Sequence, residues 1–585
     1  MNNLKSIGID LSRFSPQKLF FILISLQFLI APFYYQPNFG GEGLYLPYNS
    51  AVWIIAVWII AAASILIIRN KKIILPRYWF GLALLPIGSL ISGFIIENTN
   101  PTEWLVRISV IFGGYLFFIS LFQFQLKPKH IEQSLYILLA MGIISAAYGI
   151  FQIHFDVSIL KIIPISSNGR PVGIFQQINL QASMMATFLV LIYYLISRPA
   201  LLSMSFFMKV VLCLSAFLAS YTIAASGSRV GLLAATLGLL LLIISRWKLF
   251  KLQKRTFAMV LIMTISGATL QTDGLDKTVS KFDRAMGGME TDIRWKVYKV
   301  SWELFTEKPL FGHGLGSFQK VFQDKRAEYN RINPLFMESS PRFSHPHNEI
   351  VFWLVEGGIL SLIGIVVAAI VTFIQLIRIG IQRGGAYASL LIPIVLHSLV
   401  ELPFYISNTH WLILLFILFI THYNYRKEIS TTQLSKSAES LVPITFIINA
   451  CFSSWILIQA QISNYSLVSY FTSKDKKVEF LEIAKSSFYF RDYAIYLDLK
   501  SKIKKSLKDK NPGPIIEFIS HTENLIKRTP AIEYYLSLIA VYHSINELDQ
   551  RDKLFNEAQA IYGKSKKLLR LQKIININKN KDLNN

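Results

Sequence analysis

The chain has 585 residues, of which 53% are hydrophobic and 16% charged, with a mean hydropathy of +0.43. This is membrane composition and excludes an ordinary soluble domain. The formal net charge is +24; its basic residues gather at the ends of apolar runs, so a positive-inside bias explains the excess and no nucleic-acid partner is expected.

Apolar runs long enough to cross roughly 30 Å of hydrocarbon recur along the chain. They predict about thirteen spans, near 17–34, 50–68, 78–96, 104–124, 131–151, 176–197, 206–225, 229–245, 256–271, 348–377, 385–404, 409–425 and 440–462. No small-x-small site follows the first run, so it is expected to stay as an uncleaved helix. With Lys5, Arg13 and Lys18 in the cytoplasm, one set of loops holds Arg69, Lys71, Lys72, Arg77, Lys127, Lys129, Arg198, Lys209, the basic run 246–255, Arg378, Arg383, Arg426, Lys427 and Lys436. The short loops on the other side hold only Lys161, Arg170 and Arg229. The expected fold is therefore an all-α polytopic membrane protein with its N-terminus cytoplasmic and its C-terminus outside. Its expected parts are an N-terminal bundle of about nine helices (1–271), a large outer loop (272–346), about four further helices (347–462) and a helical tail (463–585). Cys213 and Cys451 both fall within predicted helices, as small core residues without a disulfide.

In chain order, the first polar cluster is Gly169-Arg170 with Gln176, Gln177 and Asn179 at a helix start. Amides there are either caps or readers of sugar hydroxyls, and three within four residues exceed what a cap needs. Next comes Ser226-Gly227-Ser228-Arg229 before another helix. Free N–H groups and one arginine make a phosphate cradle, or else Arg229 snorkels to lipid headgroups.

The outer loop carries an amphipathic stretch, Asp292–Glu307, with Ile293, Val297, Trp302 and Phe305 at helical spacing. The turn Phe311-Gly312-His313-Gly314-Leu315-Gly316-Ser317-Phe318 follows. It lacks the Lys-Ser/Thr ending of a phosphate loop, so it is expected to lay Phe311 and Phe318 on the membrane. The loop ends in His345-Pro346-His347-Asn348-Glu349. Ser344 is the expected cap, which places His347 and Asn348 in the first turn beside free N–H groups, where a neutral imidazole can accept a proton. A lone His-x-His also suits a metal, but no carboxylate-rich partner set is visible in the sequence. Glu401 and Tyr405 end a later helix, and an intramembrane acid is a functional candidate unless it pairs with His397 or an arginine. The tail shows helical patterns near 478–507, 515–527, 531–545 and 550–562, like a short tetratricopeptide-type solenoid.

Together these motifs resemble the O-antigen ligase/polymerase superfamily. The residues that carry the resemblance are Gly169-Arg170-x-x-Gly173-x-Phe175-Gln176-Gln177-x-Asn179, Ser226-Gly-Ser-Arg229-x-Gly231, Arg294-x-x-x-Tyr298, Pro309-Leu-Phe-Gly312-His-Gly314-Leu-Gly316-Ser-Phe318, His345-Pro-His347-Asn348-Glu349 and Glu356-Gly357-Gly358. The Phe-Gln-Gln-x-Asn segment, the His-Pro-His-Asn-Glu element, Glu401-x-Pro-x-Tyr405 and the long tail are most similar to the PglL-type protein O-oligosaccharyltransferases. Tyr298 departs from the tryptophan that family members often carry. The resemblance implies a bacterial inner-membrane glycosyltransferase using an undecaprenyl-pyrophosphate-linked glycan, a serine or threonine of a periplasmic protein such as a pilin as acceptor, and no cofactor or metal. It implies His347, Asn348 and Glu349 as catalytic, Arg229, Arg294 and Arg170 on the pyrophosphate, and Gln176, Gln177, Asn179, Tyr405, Glu401 and His345 on sugar and acceptor. The alternatives are an O-antigen ligase or polysaccharide polymerase with the same donor. A transporter is a more distant one, disfavoured because its polar groups would lie near the midplane.

Overall fold

A computed structural model describes residues 15–97, 99–157, 161–166, 168–271, 293–333, 342–431, 435–563 and 565–582. Lys5, Arg13 and Asp292, and with Asp292 the first part of the outer loop, lie outside the described residues. Among the described residues the regular structure is helical except for two short strands. Each expected span is a helix. Among the described residues nine helices are long and apolar enough to cross a membrane by length and composition, and Trp79–Ile95 and Asn408–His422 are shorter apolar helices. The protein is an all-α polytopic membrane protein. It divides into two compact units, one of residues 1–83, 112–290 and 367–461, the other of residues 84–111, 291–366 and 462–585.

In the first unit, Ile178–Ile196 is the central helix, with every residue from Leu180 to Ile196 buried. Apolar side chains gain nothing by leaving lipid for protein, so such helices associate through close packing of small residues. Gly231 shows this: a Cβ there would stand 2.6 Å from Ala182 Cβ, so the helix Arg229–Leu252 lies hard against the central one. Helix Phe206–Ser226 starts on Ser205, whose Oγ accepts from Met208 N, and stops at Gly227, which takes the left-handed φ of +58°. Ser228 then caps the next helix through Gly231 N at 3.2 Å.

The strands were not anticipated. Lys72–Pro76 pairs antiparallel with Arg426–Ser430, Lys72 opposite Ser430 and Pro76 opposite Arg426. Gln123 seals the ribbon, its amide bonding both the N–H and the carbonyl of Ile74 at 3.0 and 2.7 Å. Two basic loops far apart in sequence thus share one end of this unit. Both cysteines are free; Cys213 is buried as expected, but Cys451 is exposed on the outside of helix Lys436–Thr472.

The second unit contains the helices Ile293–Glu307 and Phe318–Ile332 and the tail. Helix Ile293–Glu307 buries Val297, Val300, Ser301 and Leu304, while Trp295 and Trp302 stand more than half exposed, so Trp302 is not on the packed face. The tail forms Glu479–Lys485, Arg491–Lys508, Pro512–Arg528, Ile532–Ser544, Leu548–Tyr562 and Lys566–Asp582. The pattern expected as one helix over 478–507 is broken at Ser486–Phe490, where no proline or glycine marks the stop.

Candidate functional site

Each unit holds some of the candidate residues. In the second unit the His-Pro-His-Asn-Glu segment is a bent strap before a helix. The helix starts at Glu349, and the Asn348 Oδ1 accepts the Val351 N–H at 3.1 Å. Asn348 is therefore the cap, not Ser344, and His347 precedes the helix instead of lying in its first turn. His347 has φ +57°, a left-handed conformation that costs a non-glycine residue about 1 kcal/mol or more. Two bonds hold it there. Its N–H donates to His345 Nδ1 at 3.2 Å, and its carbonyl accepts the Tyr298 hydroxyl at 3.3 Å. His345 is thus unprotonated at Nδ1, and its ring stands edge-on to that of His347 with centroids 4.5 Å apart. His345 and Glu349 are buried, whereas His347 and Asn348 are half-buried. Beside them a cavity of about 260 Å³ is lined by Tyr298, Ser301, Trp302, Phe305, Asn348, Val351 and Leu354. Arg294, half-buried, is one turn before Tyr298 on the same helix.

The glycine turn does something other than expected. Gly312, Gly314 and Gly316 all have left-handed φ, and the turn docks on the kink at Gly358 (φ +63°, ψ −161°) of helix Glu349–Arg378. His313 N–H donates to Val355 O at 2.8 Å and Gly314 N–H to Glu356 O at 3.0 Å. A Cβ on Gly358 would meet Leu310 O at 2.5 Å, so the approach admits glycine only. Phe318 is buried against Phe322 and Phe352, not laid on a membrane surface.

Under this turn is a buried ion pair the sequence analysis missed. Arg107 Nε stands 3.4 Å from Glu356 Oε2, the two side chains being 8% and 0% exposed. The Phe318 N–H donates to Glu356 Oε1 at 3.2 Å, and the Arg107 guanidinium covers the Phe352 ring at 4.5 Å. The signal was present: Arg107 is the lone cation in the apolar run after Trp104.

In the first unit, Gln176 has φ +57° and Gln177 precedes helix Ile178–Ile196 without a side-chain cap. Gln176 Nε2 and Gln177 Oε1 are buried without a hydrogen-bond partner among the described residues. Asn179 Oδ1 accepts from Ser228 Oγ at 2.8 Å, which ties this segment to the start of helix Arg229–Leu252. Arg229 itself is exposed, and Arg170 is half-exposed in a turn closed by Ser166. Glu401 is buried; its N–H donates to the His397 carbonyl, but the His397 ring turns to Ser183, Nδ1 to Oγ 2.7 Å. Ser183 also meets His410 Nε2 at 3.3 Å, a buried Ser-His-His link that the sequence analysis did not find. Tyr405 is half-buried on the short helix Pro403–Ile406, whose end Asn49 fixes by donating to Ile406 O at 2.8 Å and accepting from Asn408 N at 2.9 Å.

This arrangement offers a constrained imidazole with a neighbouring amide in one unit, and unsatisfied amides beside a basic helix start in the other. No curated protein matches the chain. Residues 214–366 match the family described as O-antigen ligase, and residues 386–573 match the virulence factor membrane-bound polymerase, C-terminal family. The second match takes in most of the tail. The two matches, one covering the strap and the glycine turn, support the O-antigen ligase/polymerase superfamily, whose members are glycosyltransferase-like and imply a lipid-linked glycan donor and an acceptor.

Proposed function

We propose that the protein moves a glycan from an undecaprenyl-pyrophosphate carrier to a serine or threonine hydroxyl of a periplasmic protein such as a pilin, at the periplasmic face of the inner membrane. The observation that carries a transfer reaction is His347, held in a strained backbone by Tyr298 and His345 with Asn348 adjacent. The acceptor O–H gives its proton to the His347 imidazole, and the oxygen forms the new bond to the sugar's anomeric carbon. The bond from that carbon to the pyrophosphate oxygen breaks, and undecaprenyl pyrophosphate leaves with the electron pair. Asn348 and Glu349 orient the imidazole and acceptor. Arg229, Arg294 and Arg170 take the charge growing on the pyrophosphate, for which bidentate guanidinium contacts suit the phosphate oxygens. Gln176, Gln177, Asn179, Glu401, Tyr405 and His345 hold sugar and acceptor. Pyrophosphate is already a good leaving group, so arginines in place of a metal suffice.

The ligase and polymerase descriptions of the two matching families favour a second reading, in which the acceptor is another glycan. Intact-mass spectrometry of periplasmic proteins and pilins, with lipopolysaccharide gels, separates the two in cells carrying the wild-type gene or His347→Ala. A glycan mass lost from a protein with lipopolysaccharide unchanged supports protein glycosylation. A shortened O-chain with unchanged proteins transfers the enzyme to the second reading, and no change in either removes glycosyl transfer altogether.

A further inference from the structure

A buried cation lies between the tail and the His347 strap. Arg326, on helix Phe318–Ile332, is fully buried. Burial lowers its pKa to about 10, so it remains charged at neutral pH. Its guanidinium is 5.5 Å from the ring centroid of Tyr562, at the end of tail helix Leu548–Tyr562, and 6.0 Å from that of Phe343 in the strap. Both lie within the range at which a ring face attracts a cation, an attraction that grows when water is excluded. Arg326 also donates to Gln323 Oε1 at 3.2 Å, and Gln323 donates to the Phe343 carbonyl at 3.4 Å. Phe343 in turn stands edge-on to the His347 ring, with centroids 6.5 Å apart. On the tail side, Asn330 donates to Ala560 O at 2.9 Å, and the Tyr562 hydroxyl is fixed on Pro530 O at 2.6 Å.

A buried arginine is costly wherever it serves only packing. Here its two aromatic partners belong to two different parts of the chain, the strap and the tail. We propose that Arg326 is a positioning residue through which the tail holds Phe343, and with it the His347 strap, in its reactive conformation. The role of the strap rests on the proposed transfer reaction; the mechanical link does not. The tail then has a defined task, since loss of its last helices would loosen the strap.

Two readouts on the full-length protein in detergent or nanodiscs separate these claims. Hydrogen–deuterium exchange of the peptide covering 342–349 should rise about tenfold in Arg326→Met and in Tyr562→Leu, as expected when a local opening becomes easier. It should stay near wild type in Tyr562→Phe, which keeps the ring, and Arg326→Lys should restore part of the protection. In a transfer assay, Arg326→Met should lower kcat about tenfold while donor KM changes less than about twofold, the mark of a misplaced reacting group. The double variant should be little worse than either single one, because both cut one link. Unchanged exchange at 342–349 in both single variants would overturn the proposal, whatever the activity. If Arg326→Met does not accumulate, Tyr562→Leu decides from the tail side. Absence of transfer by the wild type, with exchange behaving as described, would remove the proposed function and leave the link standing.

Discussion

The Tyr298 hydroxyl donates to the backbone carbonyl of His347, and that carbonyl belongs to a residue with φ +57°. One hydrogen bond contributes about 1 kcal/mol net, similar to the cost of the left-handed backbone it holds. Tyr298→Phe should therefore release the strap part of the time and lower the transfer rate about fivefold, since 1.4 kcal/mol is tenfold. His347→Ala should abolish transfer. His347→Asn should abolish it too, although asparagine tolerates the left-handed region; substantial activity in His347→Asn would show that the backbone matters and the imidazole does not.

His345, beside its proposed contact with sugar or acceptor, accepts the His347 N–H through Nδ1. His345→Ala should leave measurable transfer, reduced by the loosened strap. Equal and complete loss in His345→Ala and His347→Ala would sink the single-base reading. A chelator distinguishes what remains: transfer should be unchanged in EDTA, whereas loss restored by a divalent cation would make the two histidines ligands.

Arg229→Lys tests the pyrophosphate contact. Arg229 is exposed at the first turn of its helix, with Ser228 as cap. A lysine keeps the charge but not the planar fork, so transfer should drop about a hundredfold at fixed donor if two guanidinium bonds to phosphate are lost. Near-normal turnover would mean that Arg229 serves lipid headgroups instead.

Long apolar runs made the helices at the expected spans legible among the described residues, because a single segment in lipid can satisfy its own backbone only as a helix. Gln176 and Arg229 were legible as residues at helix starts, and His347 as one just ahead of a helix. What the sequence hid were partners far apart in the chain. Nothing in the sequence joins Arg107 to Glu356, or Lys72–Pro76 to Arg426–Ser430. The conformation of His347 was hidden for another reason: histidine is not a residue whose type announces a left-handed backbone, as the glycines of the 312–316 turn do.

The Arg107–Glu356 pair supports the glycine turn, and both side chains are almost without solvent. Arg107 also stands 3.7 Å from Glu103, so removing Arg107 is the change that leaves Glu356 as a buried carboxyl without its cation, a loss of about 3–5 kcal/mol. Arg107→Met should lower the unfolding temperature of the detergent-solubilised protein sharply, and Arg107→Met with Glu356→Gln should recover part of the loss. An additive double variant would show that the two groups do not interact.

Gln176 and Gln177 carry the opposite sign of prediction. Gln176 Nε2 and Gln177 Oε1 are buried with no partner among the described residues, and each such group costs about 1–3 kcal/mol relative to a paired one. Replacing them by apolar residues of similar size, Gln176→Met and Gln177→Leu, should leave the ligand-free protein as stable as before or slightly more so. If the amides read sugar hydroxyls, the same changes should raise donor KM about tenfold or more, because a site built to bond a hydroxyl loses most when that bond cannot form. A capping role predicts the reverse, lower thermal stability with unchanged KM, so thermal unfolding and donor titration on one pair of variants decide between sugar recognition and helix support.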